Sequence, residues 1–262
     1  MKDYFVSAAS YYARYRPFYP EPLIQDVVDF FILTKNDRVI DIGSGTGQLA
    51  IQMAKYVEEV LAVEPDADMI AEGRKLCRKH GIDNIKWKQA AAEKLDASIG
   101  TFKIATFGAS FHWMEQERIL SFLDSVIESE GGVAIAGSQS VWLPTEDWEE
   151  VVKQMIQKYL GEERRAGTGK FKQAAKTDER FEDLLNKSLF SLFEERQYKH
   201  KREKTIDEII GRIYSTSFAN PAVLGEKKEA FENELRNELN RLNPQGLFEK
   251  TENYYLFLAK RP

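Results

Sequence analysis

The chain has 262 residues, 43% hydrophobic, 30% charged and 12% aromatic, with a net charge of −5. That apolar share can fill a packed core, which excludes a wholly disordered chain, and no apolar run approaches the ~20 residues that cross a bilayer. Residues 1–140 carry 20 acidic against 15 basic side chains and residues 141–262 carry 22 of each, so neither part has the basic excess that nucleic-acid binding requires.

Amphipathic spacing predicts a first long helix over 21–33. Five short apolar runs then alternate with helical patterns: Arg38–Ile42, Val60–Glu64, Ile85–Lys88, Ile104–Phe107 and Gly132–Ala136. The intervening helices are expected over 47–56, 67–80 and 116–129, with Gly81 stopping one and Gly131 and Gly132 another. Largely continuous apolar strands alternating with helices predict βαβ units in a parallel sheet covered on both faces. Beyond residue 140 charge rises. Residues 145–190 read as mostly helical, broken at Gly161 and at Gly167–Gly169. Leu192–Thr205 reads as an irregular strand, 206–218 and 226–242 as helices, and Tyr254–Ala259 as a buried last strand.

The most informative segment is Val39-Ile-Asp-Ile-Gly-Ser-Gly-Thr-Gly47, which leaves a strand and opens a helix. Glycines at 43, 45 and 47 permit positive φ and let a ligand approach the backbone, and the following helix offers free amides at its N-terminus. Glu64 ends the second strand, where a carboxylate can accept both hydroxyls of a ribose. A dinucleotide loop needs G-x-G-x-x-G. Here the third glycine comes one residue early and Gln48 takes its place, while Asp41 favours a ligand bearing an ammonium group.

The spacing D-x-G-x-G-x-G resembles motif I of class I S-adenosylmethionine-dependent methyltransferases. Glu64-Pro-Asp-Ala-Asp-Met69 is similar to that family's acidic ribose loop, and Ala90-Ala-Ala-Glu-Lys-Leu95 to its adenine loop, with Ala90 in place of the usual glycine. Glu130–Ile135 resembles the entry to its fifth strand, and Tyr254–Pro262 its last strand. Tyr12-Ala-Arg-Tyr-Arg-Pro-Phe-Tyr-Pro20 and Ser110-Phe-His-Trp-Met114 resemble the small-molecule branch that contains trans-aconitate methyltransferase-like proteins. The resemblance implies an α/β, Rossmann-like seven-stranded sheet of order 3-2-1-4-5-7-6, last strand antiparallel, with helices on both faces and a helical insertion after strand five. It implies one domain over 1–262. Within it, 1–30 is a helical segment over the cofactor site, 31–139 the cofactor-binding core, and 140–190 and 206–244 helical cap elements around the substrate site.

The same resemblance assigns the cofactor, S-adenosyl-L-methionine, to Tyr12, Arg16, Asp41, Gly43, Ser44, Gly45, Glu64, Pro65, Ala92, Glu93 and Gly108. Asp41 would fix the loop and the cofactor's ammonium through water, Glu64 the ribose, Pro65, Ala92 and Glu93 the adenine. Tyr12 and Arg16 would meet its carboxylate; their alternative is the anchoring of an N-terminal helix. His112 reads as a catalytic base, as a contact to a substrate carboxylate or cofactor, or as a structural ring. Tyr15, Phe111, Trp113, Trp142 and Tyr214 are candidate substrate contacts, with core packing the alternative. Lys170, Lys172 and Lys176 read either as a lid or as a solvated helix.

The function expected is methyl transfer to a small molecule, with O-methylation of a carboxylic acid favoured by the branch resemblance. Two rivals stay open: a non-catalytic S-adenosylmethionine-binding protein, and a nucleotide-cofactor oxidoreductase, which the glycine spacing opposes. The single Cys77 and three histidines supply neither an internal disulfide nor a conventional zinc set, and no metal is expected. Met1–Val6 lacks the apolar core of a signal peptide, so the expected location is cytoplasmic. Expected partners are a small-molecule substrate, no nucleic acid and no membrane, in a monomer or homodimer.

Overall fold

Strands with apolar residues pointing to both faces must be covered on both, and the order of elements shows how the chain does this. The computed structural model describes residues 5, 7–139, 142–166, 169–172 and 181–262. In chain order come α1 (Ala9–Tyr15), α2 (Glu21–Phe31), β1 (Arg38–Ile42), α3 (Gln48–Met53), β2 (Glu59–Glu64), α4 (Ala67–His80) and β3 (Ile85–Gln89). Next are β4 (Phe102–Gly108), α5 (Gln116–Asp124), β5 (Ile127–Ser138), α6 (Asp147–Leu160), β6 (Glu163–Ala166), β7 (Gly169–Lys172) and α7 (Phe181–Asn186). The chain ends with β8 (Leu192–Thr205), α8 (Ile206–Tyr214), α9 (Pro221–Leu224), α10 (Lys228–Leu242) and β9 (Leu247–Lys260).

Seven strands form one sheet of order β3-β2-β1-β4-β5-β9-β8, with β1 to β5 parallel and β9 antiparallel to β5. Setting aside the separate β6–β7 hairpin, this is the expected order 3-2-1-4-5-7-6. Two compact units are built from the chain: Pro17–Ser138, Thr177–Tyr198 and Tyr254–Pro262 form one, and Met1–Arg16, Gln139–Lys176 and Lys199–Asn253 the other. In the first, the side-chain period of two divides the core by face. Val39, Ile104, Ala134, Ala136, Leu256 and Leu258 pack with α2 and α3 through Leu23, Ile24, Val27, Leu49 and Met53. Ile40, Ile42, Ala105, Phe107, Val133, Ile135 and Phe257 pack with α5 and α7 through Ile119, Leu123, Leu184 and Leu185. Each face therefore loses its apolar surface to a layer of helices, at about 25 cal/mol per Å² removed from water.

The second unit has its own core. Val152, Met155 and Ile156 of α6, Ile209, Ile210 and Ile213 of α8, and Phe231, Leu235 and Leu239 of α10 interlock there. Each is a helix with apolar residues three and four apart. A capping box on Thr205 and Glu208 starts α8, and Lys250 Nζ meets Glu149 at 2.7 Å in a largely buried pair.

Two expectations are corrected. The helix predicted over 116–129 ends at Asp124, and β5 already begins at Ile127. Gly131 and Gly132 are strand residues instead of stops: between Phe102↔Ile127 and Ile104↔Gly132 the register slips, a bulge in which backbones approach closely. A Cβ on Gly131 would lie 1.9 Å from the Lys103 carbonyl oxygen and one on Gly132 2.1 Å from that of Ala259. Among the described residues of 145–190 most are helical, as expected, in α6 and α7, and β6 and β7 pair there as an antiparallel hairpin that the expectation did not include. Gly167 and Lys176, and the side chains of Lys170 and Lys172, lie outside the described residues. Among the described residues, no helix is long and apolar enough to cross a membrane.

Candidate functional site

Parallel strands deliver all their C-terminal ends to one edge, and in open α/β sheets ligands bind there. At that edge β1 ends in the loop Gly43–Gly47, with φ of +69° at Gly43, +56° at Gly45 and +84° at Gly47, values a side chain rarely tolerates. The loop is tied to β2 by the Gly43 and Ser44 amides, which donate to the Val63 carbonyl at 2.9 and 3.0 Å. It is tied to the segment after β4 by Ser110, whose hydroxyl donates to the Ile42 carbonyl at 2.6 Å. Gly43 has no room to spare, since a Cβ there would lie 2.6 Å from Ser110 Cβ and 3.0 Å from Met114 Cε. The Gly43→Ala variant combines this collision with left-handed strain and is expected to lose about 2–3 kcal/mol of stability, read as a lowered urea midpoint.

Glu64 ends β2 and is 8% exposed. Gly45 N–H donates to its Oε2 at 2.9 Å and Asp66 N–H to its Oε1 at 3.1 Å. Burial raises its pKa, and those two amides oppose the rise. An ionised carboxylate has about four acceptor positions. Two amides therefore fix its orientation and leave two lone pairs for hydroxyl donors. Asp66 caps α4 by accepting from the Asp68 and Met69 amides, and Pro65 between the two acids is exposed.

Asp41 lies inside the sheet, 1% exposed, with Thr106 as its register partner on β4. The Thr106 hydroxyl donates to Asp41 Oδ1 at 2.8 Å, while Oδ2 meets no well-aligned hydrogen-bond donor among the described residues. Burial pushes the Asp41 carboxyl up to about 7 against the pull of the Thr106 hydroxyl and the Ala50 backbone amide, and the nearby Glu64 charge adds to the rise. A buried acceptor without a donor is costly and marks a place where a ligand or water can be held.

At the end of β4, Gly108 is followed by Ala109 at φ +54°. A Cβ on Gly108 would come 3.0 Å from the Tyr19 hydroxyl. The Tyr19 backbone is clamped to α3 by the Gln52 amide, which accepts from Tyr19 N–H at 2.9 Å and donates to its carbonyl at 2.8 Å. Ala92 is buried in a short turn, and Glu93 beside it turns its carboxylate to the Glu115 amide at 3.3 Å. Phe111 is buried against Phe107 and Phe181, whereas His112 is exposed with its ring 5.5 Å from that of the half-buried Trp113.

The remaining predicted residues belong to the other unit. Arg16 lies over the Tyr12 ring and donates to the Ser215 hydroxyl at 2.9 Å and carbonyl at 3.2 Å. The Tyr15 ring fills the space beside Gly211, where a Cβ would be 2.3 Å from Cδ2. Trp142 packs on Phe218, and Tyr214 is buried with its hydroxyl donating to Glu232 at 2.9 Å. Thus Asp41, Gly43, Ser44, Gly45, Glu64 and Gly108 gather at one sheet edge, and Tyr12, Tyr15, Arg16, Trp142 and Tyr214 pack within a different unit. Thr106, Ser110, Met114 and the Tyr19–Gln52 clamp were not foreseen. Of these Ser110, Met114 and Tyr19 stood inside segments quoted for the family resemblance, whereas Thr106 and Gln52 carried no local signal.

The residues at the sheet edge fit S-adenosylmethionine: Glu64 keeps lone pairs for two hydroxyls, Asp41 Oδ2 is an unmet buried acceptor, and Gly43 keeps side chains off the loop. Residues 39–131 match the family described as methyltransferase domain. A Dictyostelium discoideum protein with a provisional methyltransferase name is 33% identical over 111 residues, 42% of this chain and 40% of that one. A Saccharomyces cerevisiae protein, provisionally named an S-adenosylmethionine-dependent methyltransferase, is 26% identical over 128 residues, 48% of this chain and 44% of its own. The match thus spans about two fifths of the length of these relatives. The crystal structure of YcgJ from Bacillus subtilis shares the fold, with TM-score 0.54 and 14% identity over 93% of this chain and all of that one. Over residues 39–131 the chain is thus similar to methyltransferase domains, and its seven-stranded sheet is the fold it shares with YcgJ.

Proposed function

We propose that the chain transfers a methyl group from S-adenosylmethionine to a small-molecule acceptor, with a carboxylate oxygen as the favoured acceptor atom. The observation that carries this reading is the pair of buried acids at the glycine loop, Glu64 oriented by two amides and Asp41 with one oxygen unmet. Glu64 accepts the ribose hydroxyls, and Asp41 holds the ammonium, directly or through a water. When bound, the cofactor supplies an electrophilic methyl on a sulfonium with a neutral leaving group. The protein's task is therefore alignment and exclusion of water, which can supply roughly 7–11 kcal/mol of a barrier. The charge balance supports a small acceptor, and the likeness of Tyr12–Pro20 and Ser110–Met114 to the trans-aconitate branch supports a carboxylate.

A carboxylate nucleophile has no proton to lose, so exposed His112 serves as its hydrogen-bonding partner and not as a base. His112→Ala is then expected to raise the acceptor KM about tenfold and leave kcat within about threefold. A fall in kcat of ~10² or more would assign it general-base work instead. The function itself is tested by incubating the protein with methyl-labelled S-adenosylmethionine and fractionated small-metabolite extract. Label should enter the acidic fraction and be released by alkali as methanol, as an ester requires. Alkali-stable label would move the acceptor to nitrogen or carbon. Saturable cofactor binding with no labelled product would favour a binding protein without turnover.

A further inference from the structure

Trp87 stands on β3, outside every segment that the cofactor reading uses, and its ring touches two glycines. A Cβ built on Gly47, the last glycine of the loop, would lie 3.0 Å from Trp87 Cη2 and 3.3 Å from Cζ2. A Cβ built on Gly73, in the middle of α4, would lie 2.3 Å from the same Cη2, 2.7 Å from Cζ2 and 3.1 Å from Cζ3. The indole edge thus occupies the place of a side chain at 73 and abuts the loop at 47. Glycine in mid-helix ordinarily weakens a helix by about 0.5–1 kcal/mol against alanine. At 73 that loss is offset by what the missing Cβ admits.

We propose that Trp87 is a positioning residue for cofactor binding, a wedge seated in the notch of Gly73 that fixes Gly47 and so the loop from Gly43 onward. Gly47 is the N-terminal boundary of α3, and its amide donates to the Ser44 carbonyl at 2.8 Å. A shift at Gly47 therefore reaches Ser44 and Gly45, and through the Gly45 amide it reaches Glu64. Trp87 is half-buried and packs against the core cluster that holds Leu49, Ala50 and Met53 of α3, so a displaced ring presses on packed neighbours that do not simply compress. The inference rests on the proposed cofactor site, and the wedge is measurable without it.

The test uses the full chain and four proteins: wild type, Gly73→Ala, Trp87→Leu, and the double variant. Adding a methyl at 73 drives the indole toward Gly47, and shortening Trp87 leaves Gly47 unsupported. Each single variant should weaken S-adenosylhomocysteine binding about tenfold by calorimetry. Each should also speed amide hydrogen exchange in peptides covering residues 41–50. In the double variant the smaller side chain makes room for the new methyl, and affinity should recover to within about threefold of wild type. Such non-additivity is the signature of direct contact.

A merely structural Gly73 predicts the opposite sign, because alanine improves the helix and leaves binding unchanged. The wedge is overturned if both single variants bind within twofold of wild type with unchanged exchange, or if the double variant is as weak as the product of the singles. Should Gly73→Ala fail to fold, Trp87→Leu alone decides through the same two readouts. If wild type binds no S-adenosylhomocysteine, the cofactor reading fails, and the exchange of residues 41–50 still judges the wedge.

Discussion

Replacing Glu64 with alanine should weaken S-adenosylhomocysteine binding by ~10² or more. Two hydrogen bonds from ribose hydroxyls to a carboxylate are each worth about 1.5–3 kcal/mol, and about 3 kcal/mol in total is already two decades in affinity. The loss has a second source. Glu64 holds the amides of Gly45 and Asp66, so alanine also leaves two backbone donors of the loop without their acceptor. Glu64→Gln separates the two effects. Its single carbonyl oxygen can serve one amide while its NH2 group faces the other. Binding should then fall nearly as far as with alanine, with a smaller loss of stability. Titration calorimetry and urea unfolding of the three proteins check this together. Wild-type affinity in the alanine variant would remove Glu64 from the site.

Asp41→Asn should make the protein more stable and its cofactor binding weaker. The carboxyl is pushed up to about 7 by burial, so in the unfolded chain, where it titrates near 3.9, it ionises much more readily. The folded state thus favours the protonated form. The stability this gives is fully present below the unfolded pKa and is lost as pH rises through about 7. A difference of about three units corresponds to about 4 kcal/mol. Asparagine removes that dependence, so the variant's advantage should grow between pH 4 and pH 7 and level off above it. Binding runs the other way. A ligand ammonium beside Asp41 favours the ionised form, so affinity in the wild type should rise from pH 5.5 to 7.5 with release of a proton. In Asp41→Asn, affinity should be lower and flat over that range. Parallel pH titrations of unfolding midpoint and binding heat give both slopes. This is the exchange of stability for function expected where a buried charge serves a ligand.

The sheet was legible because its strands announce themselves locally. Val39-Ile40-Asp41-Ile42 and Val133-Ala134-Ile135-Ala136 are short apolar runs between helical periods, and they became β1 and β5. The hairpin of β6 and β7 was not legible, since Glu163-Arg-Arg-Ala166 and Gly169-Lys-Phe-Lys172 are four residues each, rich in charge and without β-branched residues. Gly131 and Gly132 misled for a related reason: glycine stops helices and also admits close backbones in strands, and only the pairing register distinguishes the two. At the site, Asp41, the glycines and Glu64 stand within one strand–loop–helix–strand stretch and carry their own spacing. Thr106 meets Asp41 from 65 positions away and Ser110 meets Ile42 from 68. Such contacts are made by strand register and loop closure, which no local pattern encodes.

The measurement that bears most directly on the cofactor assignment is a pair of calorimetric titrations of the wild-type protein, one with S-adenosylhomocysteine and one with NADH. A saturable, one-site, micromolar response to S-adenosylhomocysteine, absent with NADH and lost in Glu64→Ala, is the expected result. A saturable response to NADH with none to S-adenosylhomocysteine would contradict it.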